Sequence, residues 1–195
     1  VNYVESHDNT TLADKINASV KDVKPSDAAQ LSQFSASIAF LSQGLPFMQA
    51  GQEFLRSKNG DPNSYKSSDE VNSMKWGTSK SNIATIDYYK GLIALRKAHP
   101  AFRMTTTAQV KSNLKFLDSA EGTIAYSLNG AAVKDKAATI VVMHNATTSD
   151  QNFALPKTGT WSVLVEGAKA GTVVIRKFTG ASIAVKGRTT LVITQ

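Results

Sequence analysis

Val1-Asn2-Tyr3-Val4-Glu5-Ser6-His7-Asp8-Asn9 runs from an apolar segment straight into a polar cluster. A buried parallel strand reads as a near-continuous apolar run and meets polar residues where it leaves the core at its carboxyl end. The stretch therefore predicts a strand followed by a site-bearing loop, and barrel enzymes build their chemistry at that end. His7, Asp8 and Asn9 could aim several hydrogen-bonding groups into one pocket, which makes them the first candidate site residues. Taken alone, the pattern also fits a polar turn that caps a strand.

Leu45 to Gly51 repeats the arrangement, an apolar run with Pro46 near its start, where a strand tolerates proline, ending in Gln52-Glu53. Between the two runs, Thr10 to Lys24 is too mixed to predict more than a loop with a helical turn. Asp27 and Gln30 fit a capping box, and Leu31, Phe34, Ile38 and Leu41 recur on one face. A helix is expected from about Ala28 to Gln43, stopping at Gly44. It carries no charged residue, which predicts cover on both faces. Strand, loop, helix, strand is the order of a parallel β/α unit. Two such strands leave open edges, so further strands are expected upstream of Val1, and the chain reads as cut from something longer.

From Phe54 to Ser81 the chain is rich in Ser, Asn, Asp, Gly and Lys, with Tyr65, Val71, Met74 and Trp76 as large apolar anchors. A loop of that length with aromatic residues points to function. A second helix is expected from Ile83 or Ile86 to Ala98, ended by Pro100. His99 reads as a last-turn residue favoured by the helix dipole.

Beyond Pro100 the period changes from helical to alternating. Val110–Leu117, Thr123–Leu128, Thr139–His144, Gln151–Leu155, Thr160–Val165, Thr172–Phe178, Ile183–Val185 and Thr189–Ile193 read as short strands between Gly, Asn, Asp and Lys turns. Such spacing predicts an antiparallel β-sandwich. The fold class expected is α/β plus all-β, with a boundary that divides the chain into residues 1–102 and 103–195. Leu155-Pro156-Lys157-Thr158-Gly159 matches a cell-wall sorting pattern, but more alternating strands follow it, and a turn between strands accounts for it.

Composition narrows the classes. The net charge of +7 comes from scattered Lys and Arg without a basic block, so no nucleic-acid partner is expected. No run of eighteen or more apolar residues occurs, so no membrane partner is expected either. With no Cys, disulfides and thiolate metal sites are excluded, which fits either the cytosol or a bacterial exterior.

Four separated motifs agree in order and spacing: residues 1–9 quoted above, Gly-Leu-Pro-Phe-Met-Gln-Ala-Gly-Gln-Glu-Phe-Leu-Arg-Ser-Lys at 44–58, Asn-Ser-Tyr at 63–65 with Asp-Glu-Val-Asn at 69–72, and Tyr-Tyr-Lys-Gly-Leu-Ile-Ala-Leu-Arg-Lys-Ala-His-Pro-Ala-Phe-Arg at 88–103. Together they resemble the carboxyl-terminal portion of the type I pullulanases, starch-debranching enzymes of the α-amylase superfamily. The resemblance implies that residues 1–102 are the last two strand-helix units of a (β/α)8 TIM barrel and residues 103–195 its terminal β-sandwich. It implies a retaining glycoside hydrolase that cleaves α-1,6 branch linkages in pullulan, starch or glycogen. Asp8 would stabilise the transition state through the sugar hydroxyls, and His7 would hydrogen-bond the same ring, interactions that strengthen as the ring flattens. Asn9, Asn63 and Tyr65 would line the glucan cleft, and Glu53 would brace its mouth. Ala13 departs from the pattern, since many members carry Trp there.

In that family the nucleophile and the acid/base lie after strands four and five, and nothing in this chain matches them. The expected partners are thus an α-glucan and the remainder of the same barrel, with the chain alone inactive. No cofactor is expected, and a structural calcium is left open. The alternative is a non-catalytic glucan-binding or scaffolding module, with Phe153, Trp161 and Phe178 as a sugar platform.

Overall fold

The computed structural model describes residues 1–195. Its first helix, α1 (Leu12–Ser19), extends the helical turn expected within the loop of residues 10–24 to 8 residues. Thr11 caps it by accepting from the Asp14 amide at 3.2 Å, and Leu12, Ala13 and Ile16 bury one face. Helix α2 (Pro25–Leu41) starts earlier than predicted, because Pro25 fits the first turn, where its missing N–H is no loss. The expected capping box does not form: Lys24 is the N-cap without a side-chain bond. Gln30 is used elsewhere, donating to the carbonyls of Gly187 at 3.1 Å and Arg188 at 3.4 Å. The helix ends ahead of Gly44, which takes the left-handed conformation at φ 95° in the turn that follows.

The single turn α3 (Asp69–Asn72) interrupts the long loop. Helix α4 (Ile83–Ala98) runs as predicted, and His99 leaves it in extended conformation ahead of Pro100. Tyr88, Tyr89, Leu92 and Leu95 of α4 are buried with Ala36, Phe40 and Leu41 of α2. Each fully buried aliphatic side chain of this kind contributes about 2 kcal/mol. Arg96 seals the carboxyl end of α2: its guanidinium donates to the carbonyls of Phe40 at 2.9 Å, Ser42 at 2.8 Å and Gly44 at 2.5 Å. A cation at a helix carboxyl terminus also opposes the negative end of the dipole.

The first half of the strand predicted over Val110–Leu117 is instead helix α5 (Thr107–Asn113), capped by Thr106 accepting from the Gln109 amide. Strands β1 (Leu114–Leu117), β2 (Thr123–Asn129), β3 (Thr139–Asn145), β4 (Gln151–Glu166), β5 (Lys169–Ala170), β6 (Arg176–Val185) and β7 (Thr189–Thr194) follow. They number seven rather than eight, because two predicted boundaries vanish and the short β5 is a strand not predicted. The turn expected at Leu155–Gly159 is part of the single strand β4, whose pairing with β6 skips between Ala154 and Gly159. Proline there interrupts the ladder without reversing the chain. Ile183–Val185 is the end of β6 rather than a separate strand, and of the predicted Thr172–Phe178 only Arg176 onwards is extended.

The sheet is antiparallel in the order β1-β2-β3-β7-β4-β5, with β6 on the free side of β4. Strand β4 pairs with β6 along most of its length and with β7 near its end, so the sheet folds over itself. Alternation then assigns two faces. Ala125, Val141, Met143, Leu191 and Ile193 point inward against Phe153, Trp161, Ile183 and Val185, forming a sandwich core. Tyr126, Leu128, Ile140, Val142 and Val192 point the other way and join α2 and α4 in one continuous cluster. The aromatic platform considered above is therefore absent: Phe153 and Trp161 are interior, and Phe178 packs against the same core.

Two polar ties cross the helix-sheet junction. Tyr126 donates to the Leu41 carbonyl at 3.0 Å. His99, expected as a dipole-favoured surface residue, is buried with its Nδ1 2.7 Å from Asp135 Oδ1. The other Asp135 oxygen accepts from the Ala101 amide at 3.1 Å.

The two strands predicted near Val1 and Leu45 are reduced to one parallel bridge, Asn2 to Pro46. The Asn2 amide donates to Leu45 O and the Phe47 amide to Asn2 O, both at 2.8 Å. A two-stranded ribbon without a third strand beside it is marginal, which is the physical reason for the short pairing.

Candidate functional site

The bridge at Asn2 delivers the chain into Glu5–Thr10, and this loop is pinned at both ends. Glu5 is buried, and its Oε2 accepts from the Leu12 amide at 2.8 Å at the start of α1. Burial pushes its carboxyl up to about 7, offset in part by that amide and by Arg56. Between the pins, Asn9 adopts the left-handed conformation at φ 64°, which asparagine tolerates better than most residues. His7 and Asp8 project outward, their side chains 85% and 77% exposed, with His7 Nδ1 3.1 Å from Asp8 Oδ1.

The opposite wall comes from the loop after Gly51. Gly51 is left-handed at φ 99°, and a Cβ there would lie 2.7 Å from Arg56 Cδ, so the turn requires glycine. Glu53 accepts from the Gly51 amide at 3.0 Å and so braces this turn locally. Asp14 of α1 then clamps the loop, accepting from Ser57 Oγ at 2.6 Å and from the Lys58 amide at 2.8 Å. Burial alone would raise the Asp14 pKa, but these bonds and Thr11 outweigh it and hold the carboxylate below its usual range. Lys58 is buried, and its ammonium donates to Ser64 Oγ at 2.6 Å. Asp61 accepts from the Ser67 hydroxyl and the Asn63 amide, which lowers its pKa. Asn72 closes the loop by donating to the carbonyls of Ser64 at 2.7 Å and Ser67 at 3.0 Å.

The result is a cavity of about 170 Å³ lined by His7, Asp8, Lys58, Asn63, Ser64, Tyr65 and Asn72. Four of the five site residues expected from sequence thus meet, across more than fifty positions of chain. Asn9 is the exception, exposed beside the cavity without lining it. Tyr65 is 76% exposed, with the Lys66 ammonium 5.2 Å from its ring centroid. The exposed acid, imidazole, amide and phenol suit hydrogen bonding and ring stacking against a polyhydroxylated ligand. No three His, Asp or Glu side chains group to hold a metal ion.

Sequence reading missed the supporting residues Glu5, Asp14, Lys58, Ser64 and Asn72. A signal existed for Asp14, since Thr11-x-x-Asp14 ahead of Ile16 is a capping-box spacing. Lys58 carried none, because its burial depends on a loop returning across α1.

A family model described as the all-beta domain of pullulanase matches residues 110–169. The pullulanase of Bacillus subtilis (strain 168) is 39% identical over 156 residues, which are 80% of this chain and 22% of that protein. The pullulanase from Bacillus acidopullulyticus superposes with a TM-score of 0.94 at 39% identity, over 99% of this chain and 24% of its own. The chain matches the carboxyl-terminal portion of a type I pullulanase. The structure of the type I pullulanase from Bacillus subtilis str. 168, complexed with maltose, gives a TM-score of 0.92 at 34% identity, over 99% of this chain and 27% of its own. The chain thus spans about a quarter of the length of the relatives it matches.

Proposed function

We propose that residues 1–102 are the carboxyl-terminal part of a catalytic (β/α)8 barrel and residues 103–195 its terminal β-sandwich domain, within a retaining glycoside hydrolase that cleaves α-1,6-glucosidic branch linkages. The observation that carries this reading is that His7, Asp8, Asn63 and Tyr65, separated in sequence, line one cavity. The barrel assignment draws support from the parallel bridge at Asn2 and Pro46. Val1, Tyr3, Leu45 and Phe47 lie exposed beside it, an apolar edge of the kind that neighbouring strands would cover.

In this reading Asp8 hydrogen-bonds the hydroxyls of the sugar as it distorts towards an oxocarbenium ion, and His7 bonds the same ring. Bonds that strengthen in the transition state lower the barrier, by several kcal/mol in order of magnitude. Tyr65 and Asn63 hold the neighbouring glucose. Retention requires a nucleophile and an acid/base about 5 Å apart across the scissile bond. Asp8 is neither, so this chain alone is inactive and completes its site only with the rest of the barrel.

The test is pullulan hydrolysis by the full-length enzyme carrying Asp8→Ala. A loss of kcat of about 100-fold or more is expected, and wild-type turnover would refute the assignment. The alternative of a sugar-binding sandwich loses its basis with the burial of Phe153 and Trp161.

A further inference from the structure

Lys58 is the only lysine or arginine lining the cavity of His7, Asp8 and Tyr65. Only 7% of the residue is exposed, and no carboxylate approaches it within ion-pair distance. An ammonium carries three donors. Ser64 Oγ, at 2.6 Å, is the one protein acceptor that Lys58 Nζ meets. A buried cation so sparsely satisfied is costly to fold around unless something else completes its shell. Nor is its position accidental. The Lys58 amide is held at 2.8 Å by Asp14 Oδ2, while the other oxygen of that carboxylate fixes Ser57 at 2.6 Å. The backbone at Lys58 is therefore anchored to α1, the helix that directly follows the His7–Asp8 loop.

We propose that Lys58 is a further substrate-binding residue: anchored on Asp14 and bonded once to Ser64, its ammonium gives its remaining donors to a glucan hydroxyl seated between Asp8 and Tyr65. The inference rests on reading this cavity as a glucan site. A charge-assisted bond to a hydroxyl is roughly twice as strong as a neutral one, so a lysine here adds affinity that Asn63 cannot supply.

The simpler role for Lys58 is to brace Ser64, and the experiment separates the two. In the full-length enzyme, Lys58→Met, Ser64→Ala and the double variant are compared by KM for pullulan and by the Kd of maltotriose from calorimetry. Lys58→Met should raise both constants by about 10-fold or more, while Ser64→Ala changes them by less than about 3-fold. If Ser64→Ala matches the effect of Lys58→Met and the double variant adds nothing, Lys58 is only a brace and the proposal is overturned. Wild-type KM and Kd in Lys58→Met overturn it as well. Should Lys58→Met not fold, Lys58→Gln takes its place, since it keeps a donor for Ser64 but no charge, and the same loss is expected. Asp8→Ala distinguishes the two levels of failure: an active Asp8→Ala enzyme sinks the glucan-site reading, whereas an inactive one with unmoved Lys58→Met constants sinks only the assignment of Lys58.

Discussion

Replacing glycine by alanine inside a helix ordinarily stabilises it by about 1 kcal/mol, because alanine has less backbone freedom to lose. At Gly91, in the middle of α4, the sign should reverse. A Cβ built there would lie 2.0 Å from the carbonyl oxygen of Ala170, 2.5 Å from its carbonyl carbon and 3.1 Å from its Cβ. A carbon and a carbonyl oxygen approach to about 3.3 Å at the closest, so more than an ångström must be found. Ala170 cannot yield cheaply, since it is paired with Val165 and its neighbour Gly171 donates to Leu164 O at 3.1 Å. Nor can α4 retreat without unpacking Leu92 and Leu95, both fully buried. A clash this deep against backbone belongs at the upper end of overpacking costs, about 2 to 3 kcal/mol. Net of the propensity gain, Gly91→Ala should destabilise the chain by about 1 to 2 kcal/mol. Equilibrium urea unfolding followed by tryptophan fluorescence reads the change, because Trp161 is fully buried and Trp76 is exposed. With a slope near 2 kcal/mol per molar, the midpoint should fall by about 0.5 to 1 M. Ala94→Gly, on the exposed side of the same helix, calibrates the bare propensity at about 1 kcal/mol. A midpoint that rises for Gly91→Ala would show that the strand gives way freely and that the contact is not a constraint.

Three further outcomes follow from named contacts. Arg96→Met should destabilise by about 2 to 4 kcal/mol in thermal or urea unfolding, since three carbonyls at the end of α2 lose a charged donor. Glu5, with its folded pKa raised from 4.5 to about 7, favours the folded state while protonated, so its contribution is complete below about pH 4.5 and is lost as pH rises through about 7. Glu5→Gln should remove this loss, seen as a smaller drop in urea midpoint between pH 5 and pH 8. His144 works the other way: burial lowers its pKa from 6.5 to about 4, so its stability is complete above about pH 6.5 and lost as pH falls through about 4. The two slopes oppose each other over a shared window, and His144→Gln should therefore expose the Glu5 slope between about pH 4.5 and 6.5.

Strong local rules were legible in the sequence. Helix α4 announces itself by Tyr88, Leu92 and Leu95 and by its proline stop, and β2, β3 and β7 by alternation. Errors fell where local pattern and context diverge. Val110 looks like a strand residue, but Thr106 offers the backbone a cap and turns the segment helical. Pro156 and Gly159 look like a turn, yet β4 runs through them because β6 accompanies both halves of the strand. His7 and Asp8 were readable because the chemistry sits in adjacent residues. The meeting of Asp14 with Lys58 was not, because it depends on the tertiary return of a loop over forty positions away.

The core that α2 and α4 share with one face of the sheet bears on how such a chain can be recombined. Severing it after Phe102 would leave Tyr126, Leu128, Ile140, Val142 and Val192 facing water, together with an Asp135 deprived of His99. Grafting the sheet onto another helical partner thus demands that the recipient reproduce the buried surfaces of both helices. Any recombination of the chain meets the same physical constraint: α2, α4 and this face of the sheet move as one piece or leave a core open to water.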